Sequence, residues 1–224
     1  MIKAVLLDVD NTLLDFDACA KSAIRLSAEE RSLTLPVETF SVFRRVNDRL
    51  WAMIEAGTLT REELLAQRWD VIFRELGLAA DGPAFEASFI RHLASAAEPV
   101  DGAMELLEYL HGRYILAIAS NAPYAQQIRR LSLAGFLPLL DHLFISEKIG
   151  RAKPCTAFFD HCIAALAPLN AQEIIMIGDS PEADIQGAAA RGLKTCWFDY
   201  RRTGDRSVPA DYTAERLEQI RAFL

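Results

Sequence analysis

Four clusters of polar residues follow apolar stretches of this chain, and their types are those of phosphoryl chemistry. They are Asp8-Val9-Asp10-Asn11-Thr12, Ser120-Asn121, Lys153-Pro154 and Gly178-Asp179-Ser180-Pro181-Glu182-Ala183-Asp184. Brought together, Asp8, Asp10 and Asp179 would crowd carboxylates into one crevice, where they repel one another unless a cation sits among them. Oxygen donors select a hard metal, and Mg²⁺ needs only one or two carboxylates plus a substrate phosphate. Lys153 would add a fixed positive charge. Ser120 and Asn121 would offer hydrogen bonds at a helix start, a position that suits a phosphate. Metal, lysine and donors together make a site for a phosphoryl group in transfer.

Each cluster also has a structural explanation. Asp10-Asn11 suits a turn. Ser120 or Asn121 suits a helix cap. Ser180-Pro181 reads as a cap followed by proline at the first helical position. Lys153-Pro154 suits an ordinary helix entry. All four occurring in one order, each just beyond a strand or a short loop, favours the chemical reading over four coincidences.

The elements that must position these residues are legible as short, β-rich apolar runs: Ala4 to Val9, Tyr114 to Ala119, His142 to Ile145, Ile174 to Ile177 and Thr195 to Phe198. Near-continuous apolar runs predict parallel strands buried on both faces. Helical patterns lie between most of them, at Ala103 to Leu110, Ala125 to Leu133, Ala157 to Leu166 and Ala183 to Arg191, with a last helix over Glu215 to Leu224. Alternation of this kind predicts an α/β fold, a doubly wound Rossmann-like parallel sheet. In such a sheet ligands bind beyond the carboxyl ends of the strands at the topological switch point. Residues 16–96 break the alternation. They carry helical periodicity only, with breaks near Leu35-Pro36, Gly57-Thr58 and Asp81-Gly82-Pro83. The expected organisation is a catalytic core over 1–15 and 97–224, with an all-helical insert of about four helices over 16–96.

Composition narrows the partners. The chain has 224 residues, 51% of them hydrophobic, and a formal net charge of −7. A chain this size buries roughly 70–75% of its unfolded surface. Its acidity argues against a nucleic-acid polymer or an anionic membrane as partner, and leaves a small anionic substrate neutralised by metal or lysine. The four cysteines, Cys19, Cys155, Cys162 and Cys196, make no metal-binding spacing, which suits free thiols in a reducing compartment. With no signal-peptide pattern and no run of ~18 apolar residues, the expectation is a cytoplasmic protein, monomer or homodimer.

The order D-x-D-x-T, S-N, K-P and G-D-x-x-x-x-D resembles the haloacid dehalogenase superfamily. The resemblance implies a nucleophile at Asp8. It implies a general acid/base at Asp10, whose carbonyl joins the Mg²⁺ shell. Thr12 would support the first motif and help bind the phosphate, Ser120 and Asn121 would bind phosphoryl oxygens, and Lys153 would bridge Asp8 and the phosphoryl group. Asp179 would ligate Mg²⁺, and Asp184 would orient the metal shell. The helical insert would be this superfamily's small cap. Asn11 stands where glycine is commoner, and asparagine tolerates positive φ.

Asp10 discriminates among the superfamily's reactions. A halide leaves without protonation, whereas an alkoxide needs an acid, so Asp10 favours phosphate ester hydrolysis over dehalogenation. A phosphomutase would share both aspartates. The single insert lysine, Lys21, lies close behind the first motif, a poor place for a phosphonatase Schiff base. A binding module with a decayed site is disfavoured because every motif position carries a competent residue. Over Val37 to Ile54, Phe40, Phe43, Leu50 and Ile54 form one apolar stripe. Asn47 lies in its middle and Trp51 at its edge. Asn47 either satisfies buried groups or faces a ligand, and Trp51 is either core or ligand contact. Asn47-x-x-Leu50-Trp51 with Gly57 and Thr60, together with Ile145 to Pro154, is similar to the bacterial noncanonical pyrimidine 5′-nucleotidase branch. That similarity implies a pyrimidine nucleoside monophosphate as substrate, with Asn47 and Trp51 as specificity residues. Phosphoglycolate or a sugar phosphate is the alternative.

Overall fold

The computed structural model describes residues 1–224. It divides into two compact units, Asp17–Ala96 and the pair of segments Met1–Phe16 with Ala97–Leu224.

The helical unit consists of α1 (Phe16–Glu30), α2 (Thr39–Glu55), α3 (Arg61–Glu75) and α4 (Gly82–Leu93). The breaks between them have local causes. Gly57 and Gly77 take φ of 71° and 67°, values that glycine alone reaches without steric cost. Thr60 caps α3 in a reciprocal capping box with Glu63, and Asp81 caps α4 by accepting from the Ala84 N–H. Each arrangement satisfies backbone donors that a helix start leaves unpaired. The core of the unit is aromatic. Trp69 lies 4.2 Å from Phe85 and 5.6 Å from Phe43, centroid to centroid. Gly82 sits so close to Asp70 that an added Cβ would lie 2.1 Å from its carboxylate oxygen, so α4 docks only with glycine there.

A buried polar group crosses this aromatic core. Arg68 Nη2 and Nε donate to the Glu86 carboxylate at 2.5 and 3.1 Å, and Nη1 donates to Asn47 Oδ1 at 2.8 Å. Burial pushes the Glu86 carboxyl above its ordinary range, and Arg68 opposes the rise. Asn47 is 5% exposed, and its bond to Arg68 by itself accounts for a polar residue in the apolar stripe of α2. Trp51, at the stripe's edge, is partly exposed. Asn47→Ala removes one acceptor from a buried guanidinium. It should lower stability by about 1–3 kcal/mol and leave the ratio of kcat/KM values for a pyrimidine monophosphate and p-nitrophenyl phosphate unchanged. Thermal melting and the two rates check this. A tenfold fall in the ratio at unchanged Tm would instead give Asn47 a base-reading role.

The sheet unit has six strands: β1 (Ala4–Leu7), β2 (Ile115–Ser120), β3 (His142–Ile145), β4 (Ile174–Gly178), β5 (Lys194–Phe198) and β6 (Tyr212–Ala214). They pair in parallel throughout, in the order β3-β2-β1-β4-β5-β6. Alternate residues face two cores. Val5, Leu7, Leu116, Ile118, Ile175 and Ile177 lie on one side, and Ala4, Leu6, Ala117, Ala119, Ile174 and Met176 on the other. Helices α5 (Ala103–Leu110), α6 (Tyr124–Leu133), α7 (Ser146–Ile149), α8 (Thr156–Ala165) and α9 (Gly187–Ala189) complete the unit. The chain runs from β1 to β2 and β3 on one side and returns to β4 on the other. The switch point therefore lies between β1 and β4.

Four elements differ from the sequence reading, the short helix α7 being one that it does not predict. Strand β6 is additional; Tyr212 and Thr213 are exposed, so it has no apolar run to betray it. The helix expected over Ala183 to Arg191 is a π-helical turn, Pro181–Gln186, followed by α9. At this junction Gly187 packs against the Pro154 backbone, where an added Cβ would meet Pro154 Cα at 2.9 Å. The last helix is a 3₁₀ segment, Leu217–Ala222, that buries Leu217 and Ile220. Their three-residue spacing matches the tighter helix.

Candidate active site

Asp8 and Asp179 follow β1 and β4 directly, and Ser120 ends β2, so three neighbouring strands deliver their polar termini to one edge of the sheet. After β1 the chain folds back at once. The N–H groups of Leu13 and Leu14 donate to the Val9 carbonyl at 2.9 and 2.8 Å. Asn11 takes φ of 60°, as its residue type permits, and its Oδ1 accepts from the Phe16 N–H at 3.2 Å. Thr12 is fully buried beneath this turn.

Lys153 occupies the centre. Its Nζ, on a side chain 3% exposed, donates to Asp8 Oδ1 at 2.8 Å and to Asp184 Oδ1 at 2.6 Å. Burial works against the ammonium charge, but the Asp184 and Asp8 carboxylates outweigh it and hold the group above its ordinary range. Asp184 Oδ2 also accepts from the Ser180 N–H at 3.1 Å. The carboxylate lies against Gly178, where an added Cβ would stand 2.2 Å from Oδ2. Glycine before Asp179 is thus a packing requirement of Asp184.

Carboxylate oxygens of Asp8, Asp179 and Asp184 all lie within 4.8 Å of one another. Burial, then the neighbouring carboxylates, raise Asp8 to about 7 against the pull of Lys153. Asp179 is raised well above its ordinary value by burial and by Asp8 and Asp184. One lysine does not balance three ionised acids, so ionising the whole cluster calls for a further positive charge. Donors around one small octahedral cation stand about 3–4 Å apart. The oxygen-only donor set, its span and its charge fit a hard divalent ion.

The Asn121 side chain is engaged by the loop that carries Lys153. Its Oδ1 accepts from the Lys153 N–H and its Nδ2 donates to the Lys153 carbonyl, both at 2.9 Å. This two-point clasp fixes the loop that presents the lysine. Ser120 is 2% exposed, and its Oγ accepts from the Ala122 N–H at 3.2 Å and from Gln127 Nε2 at 2.9 Å.

Three residues of the site were absent from the sequence reading. Trp197, on β5, donates from Nε1 to the Asp179 carbonyl at 3.0 Å. Gln127 and Arg130, on α6, donate to Asp10. The available signal was weak: a Gln and an Arg three positions apart on the face of α6 that also carries Leu131.

A sequence model of haloacid dehalogenase-like hydrolases matches residues 2–192. The chain is 32% identical over 220 residues to the HAD-hydrolase YfnB of Bacillus subtilis, covering 97% of this chain and 93% of that protein. It is 32% identical over 197 residues to the pyrimidine 5′-nucleotidase PynA of Streptococcus pneumoniae, covering 88% and 83%. With the pyrimidine 5′-nucleotidase YjjG of Escherichia coli it shares 29% identity over 221 residues, covering 98% and 96%. The crystal structure of YfnB bound to magnesium superposes with a TM-score of 0.93 at 31% identity, covering 99% of this chain and 97% of that one. No helix here is long and apolar enough to cross a membrane. Four motifs at the switch point of a 3-2-1-4-5-6 sheet, a family model covering most of the chain and relatives matched end to end agree: the chain belongs to the haloacid dehalogenase-like hydrolases.

Proposed function

We propose that this chain is a Mg²⁺-dependent phosphoric monoester hydrolase acting on pyrimidine nucleoside monophosphates. One observation carries the phosphatase reading. A buried Asp8 is bridged by Lys153 to Asp184 beside Asp179, and a second carboxylate, Asp10, stands two residues beyond it. An Asp8 oxygen attacks phosphorus and the P–O bond to the leaving group breaks, leaving an aspartyl phosphate. Asp10 gives its proton to the departing alkoxide. Asp10 then takes a proton from water, whose oxygen attacks the phosphorus, and Asp8 leaves as a free carboxylate with inorganic phosphate. Lys153 holds Asp8 in line for attack, and its ammonium balances charge gathering on the phosphoryl oxygens. Ser120 Oγ donates to one of those oxygens, and Asn121 acts through the Lys153 loop. Asp8, Asp179 and the Asp10 carbonyl would hold Mg²⁺, with Asp184 orienting the shell. Bound there, the ion supplies Lewis-acid stabilisation of the phosphoryl charge and offsets the repulsion among the acids.

The substrate class rests on PynA and YjjG, both pyrimidine 5′-nucleotidases. Choice among esters we assign to the helical unit, with the partly exposed Trp51 as the residue suited to pack against a base. The test is a panel of esters assayed with Mg²⁺: pyrimidine and purine monophosphates, phosphoglycolate, sugar phosphates and p-nitrophenyl phosphate. We expect the highest kcat/KM on a pyrimidine monophosphate, loss of turnover in EDTA and recovery on adding Mg²⁺. Full turnover in metal-free protein would overturn the metal assignment. A preference for phosphoglycolate or a sugar phosphate would overturn the substrate class alone.

A further inference from the structure

Helix α6 carries two fully buried polar side chains, Gln127 and Arg130, three residues apart and so on one face. Burying a guanidinium and an amide is costly unless their donors are matched. Here the partner is the side chain of Asp10. Arg130 Nη1 donates to Asp10 Oδ1 at 2.5 Å, and Gln127 Nε2 donates to Asp10 Oδ2 at 3.0 Å. The two helix residues brace each other, with Arg130 Nη1 donating to Gln127 Oε1 at 3.2 Å. The same Gln127 amide donates to Ser120 Oγ at 2.9 Å. Asp10 itself is 29% exposed at its side chain, so one side of the carboxylate meets solvent while both of its oxygens are gripped from within.

We propose that Gln127 and Arg130 are positioning residues for Asp10, and that Gln127 couples the placement of Asp10 to that of Ser120. The inference rests on the reading of Asp10 as general acid/base. A carboxylate on a loop has several rotamers. Two donors on a rigid helix, aimed at separate oxygens, select one of them. Arginine suits this task because its charge is permanent and a charge-assisted hydrogen bond to a carboxylate is short and strong. Through Gln127, the residue that meets the leaving group and the residue that meets the phosphoryl group share one anchor. A displacement of either is then felt by the other.

The experiment is a mutant cycle read by single-turnover phosphorylation rates with Mg²⁺, using a nucleoside monophosphate and p-nitrophenyl phosphate. The poor leaving group needs the acid; the phenolate does not. Arg130→Met should slow the monophosphate by roughly ten- to a hundredfold, part of what a general acid contributes, and p-nitrophenyl phosphate by less than about threefold. In an Asp10→Asn background Arg130→Met should add nothing, because the positioned group is gone. Arg130→Lys, which keeps charge and most of the volume, should restore part of the loss. If Arg130→Met fails to fold, Gln127→Leu and Arg130→Lys, followed through the same cycle, decide the matter. Equal slowing of both esters, or an undiminished effect in the Asp10→Asn background, would mean a merely structural role and would overturn the proposal. An Asp10→Asn effect with no effect of the α6 variants removes this inference alone. An Asp10→Asn protein at the wild-type rate on both esters removes the acid/base reading and this inference with it.

Discussion

Asp8→Asn is expected to abolish turnover, by roughly a thousandfold or more, because the attacking oxygen loses its charge and the covalent step loses its nucleophile. The amide is nearly isosteric, and its oxygen still accepts from Lys153, so the fold should survive. The charge change should even help the metal-free protein. Asp8 is raised to about 7 by burial and by its acidic neighbours, which marks its ionised form as disfavoured there. Replacing it with a neutral group should leave Tm in EDTA equal to wild type or higher. Steady-state turnover, melting in EDTA and mass spectrometry of acid-quenched protein for a phosphorylated Asp8 are the measurements. Retention of more than a tenth of wild-type turnover would exclude Asp8 as nucleophile.

Lys153→Met is expected to damage both stability and rate. Its ammonium is the shared counter-ion of Asp8 and Asp184, 2.8 and 2.6 Å away. Removing one partner from a buried ionic group leaves the others uncompensated, at a cost of about 3–5 kcal/mol. The rate should fall by about a hundredfold or more through loss of one fixed electrostatic contact with the phosphoryl group. The pH dependence of stability has a definite sign. For a carboxyl whose folded pKa is raised, the stability is fully present below its unfolded value and is lost as pH rises through the folded one. In EDTA, wild-type protein should therefore lose stability as pH rises through about 7, the value to which Asp8 is raised. The variant should lose more over the same range, and Mg²⁺ should recover much of the loss in both. Urea unfolding at pH 5 and pH 8, with EDTA and with Mg²⁺, measures this. A variant as stable as wild type in EDTA at pH 8 would show that Lys153 does not offset the acidic cluster.

The sequence by itself determined the alternation of elements and the four motifs. The reason is local in each case. Parallel strands buried on both faces write themselves as apolar runs, and a strand terminus must be followed by polar residues if it opens on a ligand. The helix breaks were legible for the same reason. The Thr60 and Asp81 caps and the glycine at Gly57 act within a few residues of where they stand. Strand β6 was not legible, because an edge strand held by its neighbour's backbone needs no apolar pattern of its own. The π-helical turn before α9 was hidden too; the residue that follows it, Gly187, packs against Pro154, more than thirty positions earlier, a contact no local pattern records.

Only the tertiary structure decided what each polar side chain does with its hydrogen bonds. Asn121 carries the residue type of a phosphate donor, yet its amide clasps the Lys153 backbone. Asn47 lies in an apolar stripe that permitted either a ligand contact or a buried partner, and Arg68, from the next helix, supplies the partner. Gln127 and Arg130 read as ordinary polar helix residues until the 3-2-1-4 order of the sheet sets α6 beside the turn after β1, which brings them to Asp10 across more than a hundred residues of chain. Local sequence specifies which groups are available and which element bears them. Which donor meets which acceptor is set by packing, because a hydrogen bond is decided over a few tenths of an ångström and those distances exist only once distant segments have docked.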